Sequence, residues 1–242
     1  MRERLASPGA LLLLTIASYP VGLALGVGWL LPVLNAAPAW AVMAALLLRG
    51  DRRGAVLAML AWAATLAICG TASFALWPRP VDGLVIHGPA YRDEMFAWIR
   101  TGIGAESSPR RFVPQHAAHL ALFVASSLVT ASLASIAMGA VLMNYMSFYV
   151  ASLARAGAPT WAVVFLGWQP WAICRVAAFA TLGAVLAEPM LLRVFRWPYP
   201  GLRAARPYLL AAAVALVADV MLKAALAPSW GLWLRRVLPG SG

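Results

Sequence analysis

The chain has 242 residues, of which 63% are hydrophobic and only 11% charged, against roughly 45–50% and 25% in an ordinary globular domain. A soluble fold cannot hide that much apolar surface, since even a domain of about 300 residues leaves about a quarter of its unfolded-chain surface exposed; lipid is the expected solvent. The formal charge of +11 does not point to nucleic acid, because the arginines sit in small groups at the ends of apolar runs, such as Arg49/Arg52/Arg53, Arg110/Arg111, Arg193/Arg196, Arg203/Arg206 and Arg235/Arg236, where orientation signals and lipid-headgroup anchors belong.

Residues 5–48 carry no charge. As one straight helix they would extend about 66 Å at about 1.5 Å per residue, twice a hydrocarbon core of about 30 Å. The sequence therefore predicts two crossings, near 9–27 and 34–48, with the turn among Gly26, Gly28, Pro32, Asn35 and Pro38. Arg2 and Arg4 ahead of Leu11–Leu14 resemble a signal peptide, but no small-x-small cleavage site interrupts the run, so the first span is read as retained. The Arg49–Gly54 turn returns the chain to the side of the N-terminus, which the positive-inside rule assigns to the cytoplasm of a bacterial-type inner membrane.

A third span near 54–77 ends at Trp77-Pro78-Arg79-Pro80, an interfacial aromatic followed by prolines that stop a helix. The polar segment 78–115 then lies on the outer face. Within it, Pro89 suits the first turn of a short helix that Gly102 stops, with Tyr91, Met95, Trp98 and Ile99 on one face and Arg92, Asp93 and Arg100 opposite. This reads as an amphipathic helix for the membrane surface.

From Phe112 to Ala154 there is again no charge, and a span is placed near 116–141. Small residues recur at Ser127, Ala131, Ser135 and Gly139, with Ser147 and Ala151 further along, a stripe that lets another helix approach closely. Residues 159–192 cross either once or as a hairpin, with a break at Gly167-Trp168-Gln169-Pro170. A last span near 208–227 is followed by an interfacial helix over 229–236 carrying Trp230 and Trp233. The expected fold is all-α: a single polytopic transmembrane bundle of six or seven spans with a short interfacial helix.

Chemistry concentrates between Asp82 and His119, which hold all three histidines. His116 and His119, three residues apart, share a helix face, and with His87 and Glu106 they form a candidate set for a divalent transition metal. Glu94, beside Trp98, is the candidate general acid or base of that reading. Headgroup or loop hydrogen bonding is the plainer account of the histidines. No HExxH, CxxC, GxSxG or nucleotide-binding loop is present, and Cys69 and Cys174 support no disulfide framework. Glu94 with a later arginine, Phe112-x-x-x-His116 and Asn144 resemble elements of CAAX-type intramembrane proteases. Here, however, Asp93-Glu94 replaces a paired glutamate, Arg100 stands six residues on rather than four, and no second histidine helix follows. What the resemblance implies is confined to a generic membrane-interface hydrolase.

Inside the spans, Asp219 and Lys223 are spaced to neutralise one another on one helix face. Arg175 and Glu188 need partners elsewhere, or headgroups reached by snorkelling. Asn144, with Tyr145, Ser147 and Tyr149, suits helix–helix hydrogen bonding. Two functions stay open: a non-catalytic subunit of a membrane complex or a small-solute permease, and a metal-dependent membrane enzyme. The expected partners are membrane lipids and either another membrane protein or a second copy of the chain.

Overall fold

The computed structural model describes residues 7–77 and 79–238; Arg2, Arg4 and Pro78 of the sequence reading lie outside these. Among the described residues the chain is all-helical. Its helices are α1 (Pro8–Leu25), α2 (Leu30–Leu48), α3 (Arg52–Leu76), α4 (Gly88–Thr101), α5 (Pro109–Thr130), α6 (Leu133–Arg155), α7 (Thr160–Leu166), α8 (Pro170–Val194) and α9 (Leu202–Val237). Six of them, α2, α3, α5, α6, α8 and most of α9, are long and apolar enough to cross a membrane, and α1 is a shorter apolar helix. They fit a multi-pass membrane protein.

Local signals account for most boundaries. Gly26 ends α1 in the left-handed region at φ 68°, and Gly28 lies so close to the Leu84 carbonyl that a Cβ there would stand 3.1 Å from it. The first hairpin thus turns at the two glycines, and Pro32, Asn35 and Pro38 fall inside α2. Asp51 caps α3 by accepting from the Gly54 N–H at 2.7 Å. Pro89 sits in the first turn of α4, and Gly102 closes that helix in the left-handed region, its N–H donating to the Trp98 carbonyl.

Three expectations need correction. The charge-free stretch 112–154 is not one central span but two, because the chain reverses at Ala131 and Ser132, both left-handed at φ 48° and 65°. No glycine or proline marks that turn. It is held instead by Ser127 Oγ donating to Ser135 Oγ at 2.8 Å and Ser132 Oγ donating to the Gly183 carbonyl at 2.6 Å. The length argument that divides 5–48 applies equally here. Secondly, the choice left open over 159–192 falls to a single pass: α7 has seven residues, about 10 Å of helix, and of the two only α8 is long and apolar enough to cross. Thirdly, the last span and the tail are one helix of 36 residues, α9.

Two ends result. At one end lie the Arg49–Asp51 turn, the Ala131–Ser132 turn and the connection from α8 to α9; Arg52 binds Glu188 and the Ala204 carbonyl there, and Trp40 Nε1 donates to the Ala131 carbonyl. At the other lie the Gly26–Gly28 turn, α4, α7 and the end of α9, where Arg235 donates to the Ile99 carbonyl. The apolar face of α4 does not lie in the membrane surface. Met95, Trp98 and Ile99 are buried against Tyr149, Val150 and Leu153 of α6 and Ala227 and Leu234 of α9, so α4 covers one end of the bundle.

The close-packed core joins α1, α2, α3 and α6. Gly70 faces Ser147, the point at which the small-residue stripe lets α3 and α6 approach. Asn144 Nδ2 donates to Asn35 Oδ1 at 2.9 Å, Asn35 Nδ2 donates to Ser18 Oγ at 2.6 Å, and the Tyr19 hydroxyl donates to Asn144 Oδ1 at 2.9 Å. The chain of bonds ties α1, α2 and α6 together away from water, where an unmade bond is expensive. Asn144→Leu leaves Asn35 Oδ1 without its donor, while Tyr19 keeps the Leu66 carbonyl at 3.1 Å, and is expected to lower stability by about 1–3 kcal/mol, read as an earlier unfolding transition in detergent. Reporter fusions after Gly50 and Ala131 are expected on one side of the membrane and fusions after Gly104 and Gly157 on the other; opposite sides for Gly50 and Ala131 would contradict the α5–α6 hairpin.

Candidate functional site

The remaining helices enclose a cavity of about 140 Å³ bounded by α3, α5, α6 and α8, with α4 and α9 at its charged end. Its walls change character along the bundle. Near α4 they are polar: Tyr91, Glu94, Glu106, Gln115, His116, His119, Gln169, Arg175 and Lys223. Deeper they are apolar: Trp62, Phe123, Ile136, Met143, Val176 and Phe179. From Met146 to Ser135, both in the lining, α6 covers about 16 Å at about 1.5 Å per residue.

The ionisable side chains of the polar end are paired, though not within α9 as their spacing suggests. Arg175 Nε and Nη2 donate to the two carboxylate oxygens of Asp219 at 2.9 and 2.8 Å, a forked pair between α8 and α9. Lys223 Nζ donates to Glu106 Oε1 at 2.8 Å, and its ammonium stands 4.8 Å from the centre of the Phe112 ring. His116 Nδ1 approaches Asp219 Oδ2 at 3.3 Å without being aimed for a hydrogen bond. Asp219 and Lys223 are 1% and 2% exposed, and an unpaired charge at such depth costs roughly 2.5–3.5 kcal/mol even on insertion scales. Pairing is what permits them. Arg175 is not drawn to headgroups, since Asp219 engages it five residues, about 8 Å, inside α8.

Glu188 is satisfied at the opposite end of the bundle, where Arg52 reaches its Oε2 at 2.7 Å. On α4, which lies outside the spans, burial pushes the Tyr91 phenol well above its usual range, and the nearby Glu106 carboxylate adds to this. Tyr91 thus remains a neutral donor, its hydroxyl 3.4 Å from Met146 Sδ.

The predicted site residues divide accordingly. His116, His119, Glu106 and Glu94 line one cavity, although Glu94 itself is exposed at its mouth. His87 is exposed at the start of α4, in the left-handed region at φ 59°, and is not part of the lining. Among the described residues no group of three or more His, Cys, Asp or Glu side chains is gathered that could hold a metal ion. Of the four residues read as a metal set, His87 stands apart from the lining that holds His116, His119 and Glu106, and Glu106 is turned to Lys223. Asn144 sits in the core network rather than in the lining, so the residues that resemble CAAX-type proteases are not brought together either.

Sequence reasoning missed Gln169, Gln115 and Tyr91 as parts of the site. Gln169 is 1% exposed, and its Nε2 has no hydrogen-bond partner among the described residues. In the sequence it is one letter in an interfacial break between two tryptophans, and only the packing of α8 shows that it faces a cavity. No family model, no curated protein and no solved structure matches the chain.

Because Asp219 is buried and its only full counter-charge contact is Arg175, Arg175→Leu is expected to lower stability by about 3–5 kcal/mol. The double variant Arg175→Leu/Asp219→Leu should recover most of that loss. A thermal or denaturant scan of both variants checks this, and equal losses in the two would contradict the pairing.

Proposed function

We propose that the protein is a small-solute permease of a bacterial-type inner membrane, with the cavity between α3, α5, α6 and α8 as its solute site. The observation that carries the reading is the polar end of that cavity, where Arg175, Lys223 and the loop residue Glu106 line open space and Asp219, outside the lining, pairs with Arg175. Ionisable groups within spans are costly and are characteristic of solute and ion paths. The sequence carries no nucleotide-binding loop, so on this reading the driving energy comes from a gradient or a partner. Lipid covers the outer faces of α5 and α9, where Leu122, Val129, Val214, Val217 and Met221 are exposed. The Arg49–Asp51 end faces the cytoplasm, because the arginines there crowd the span ends at short connections.

The test is counterflow in proteoliposomes with radiolabelled carboxylates, amines, amino acids and sugars, comparing the natural protein with Gly139→Phe. A Cβ at Gly139 meets nothing within 4 Å, and the residue lines the cavity, so the ring enters open space without displacing backbone. At least one solute class is expected to show saturable counterflow that falls tenfold or more in the variant. Absence of counterflow for every class would refute the permease.

A second reading rests on the His116–Asp219 approach of 3.3 Å, which with Glu94 at the mouth suits a hydrolase acting at the membrane interface. It predicts ester turnover that His116→Ala removes while solute binding persists.

A further inference from the structure

The cavity's polar end is unequal in what it offers a ligand. Of its carboxylates, the half-buried Glu106 is committed to Lys223 and Glu94 is exposed at the mouth, while the buried Asp219, outside the lining, is committed to Arg175. Donors remain. Arg175 uses Nε and Nη2 on Asp219, and no hydrogen bond from a described residue reaches its Nη1; its side chain is 27% exposed, toward the cavity that it lines. Gln169 Nε2 is buried without a partner in the same lining. An orphan buried donor costs about 1–3 kcal/mol until an acceptor reaches it. A guanidinium and an amide turned to one space are the donors that a carboxylate satisfies.

The other end takes only apolar surface. Trp62, Phe123, Met143 and Phe179 form it, with no ionisable group among them. The enclosed volume of about 140 Å³ is close to that of an engineered cavity of about 150 Å³ that holds benzene. It admits one ring or a short alkyl chain and excludes a two-chain lipid.

Resting on the permease reading, we propose that the solute is a small amphipathic carboxylate: one ring or a short alkyl chain, with its head at Gln169 Nε2 and Arg175 Nη1 and its body between Trp62, Met143 and Phe179. The head brings an acceptor to both donors. The body meets no free donor, because Trp62 Nε1 is spent on the Asn35 carbonyl and Ser135 Oγ on the Ser132 carbonyl. A cation of the same shape meets a guanidinium at the head position and is rejected, and an uncharged alcohol gains the apolar contact alone.

The test is calorimetric titration of the full-length protein in phosphatidylcholine nanodiscs, with empty nanodiscs subtracted to remove partition into lipid. The probes are hexanoate and phenylacetate, with hexanol, hexylamine and acetate as the molecules that lack the head, reverse its charge or lack the body. Hexanoate or phenylacetate is expected to bind saturably and at least tenfold more tightly than all three. Gln169→Leu is expected to weaken the acids about tenfold and to leave hexanol unchanged, and Gly139→Phe to abolish binding. Gel filtration and helical circular dichroism establish that each variant is folded; where Gly139→Phe is not, the probe series and Gln169→Leu decide. Equal binding of hexanol or hexylamine, or no binding of either acid above empty nanodiscs, overturns the proposal. Counterflow of amines or sugars without binding of the acids would overturn this inference and leave the permease standing, whereas counterflow of no solute class removes both.

Discussion

A charge taken into lipid has to bring its counter-charge with it, and this constraint shapes the half of the bundle nearer α4. Asp219 sits in the middle of α9, among side chains that face hydrocarbon on either side along the helix. Its partner is on α8 and that of Lys223 is in the loop before α5, so the two ion pairs bind two separate segments of chain to α9. Replacing such pairs by apolar residues is often neutral or stabilising in proteins. Stability alone therefore gives no account of why charged pairs stand at this end of the cavity.

The other half of the bundle is built differently. There α1, α2, α3 and α6 pack through small residues and a line of uncharged hydrogen bonds from Ser18 through Asn35 and Asn144 to Tyr19. Those bonds are complete within the core, so that region is a rigid wall rather than a site. α5 is the contrast. Little of it is buried, it packs on α6 and α8, and it carries His116 and His119 into the cavity. One wall of the site is thus packed on all sides and another, α5, on one side only.

The membrane class, the helical fold and the α4 helix with its Pro89 start and Gly102 stop were legible in the sequence, because each rests on composition or on local backbone chemistry. The Ala131–Ser132 reversal was not. Neither residue favours the left-handed region, and the bonds that hold the turn come from Ser127, Ser135 and a carbonyl of α8. The candidate site was half legible. His116, His119, Glu106, Arg175, Asp219 and Lys223 stand out because polar residues in apolar runs demand an account. Their pairing did not follow from spacing: Asp219 and Lys223 lie one turn apart on α9, yet Arg175 offers Asp219 a forked pair that Lys223 cannot. Among the described residues the four residues read as a metal set are not gathered, since His87 stands outside the lining and Glu106, close to the histidines in sequence, is turned to Lys223 of α9.

The central claim is that the cavity is wet and charged at the α4 end and dry at the other. In a background with Cys69→Ala and Cys174→Ala, Gln115→Cys and Gly139→Cys are each exposed to a charged, membrane-impermeant thiol reagent and to an uncharged maleimide. The account predicts that Gln115→Cys reacts with both reagents and Gly139→Cys with the maleimide alone. Equal reaction of both positions with the charged reagent, or no reaction of Gln115→Cys with it, would contradict the account.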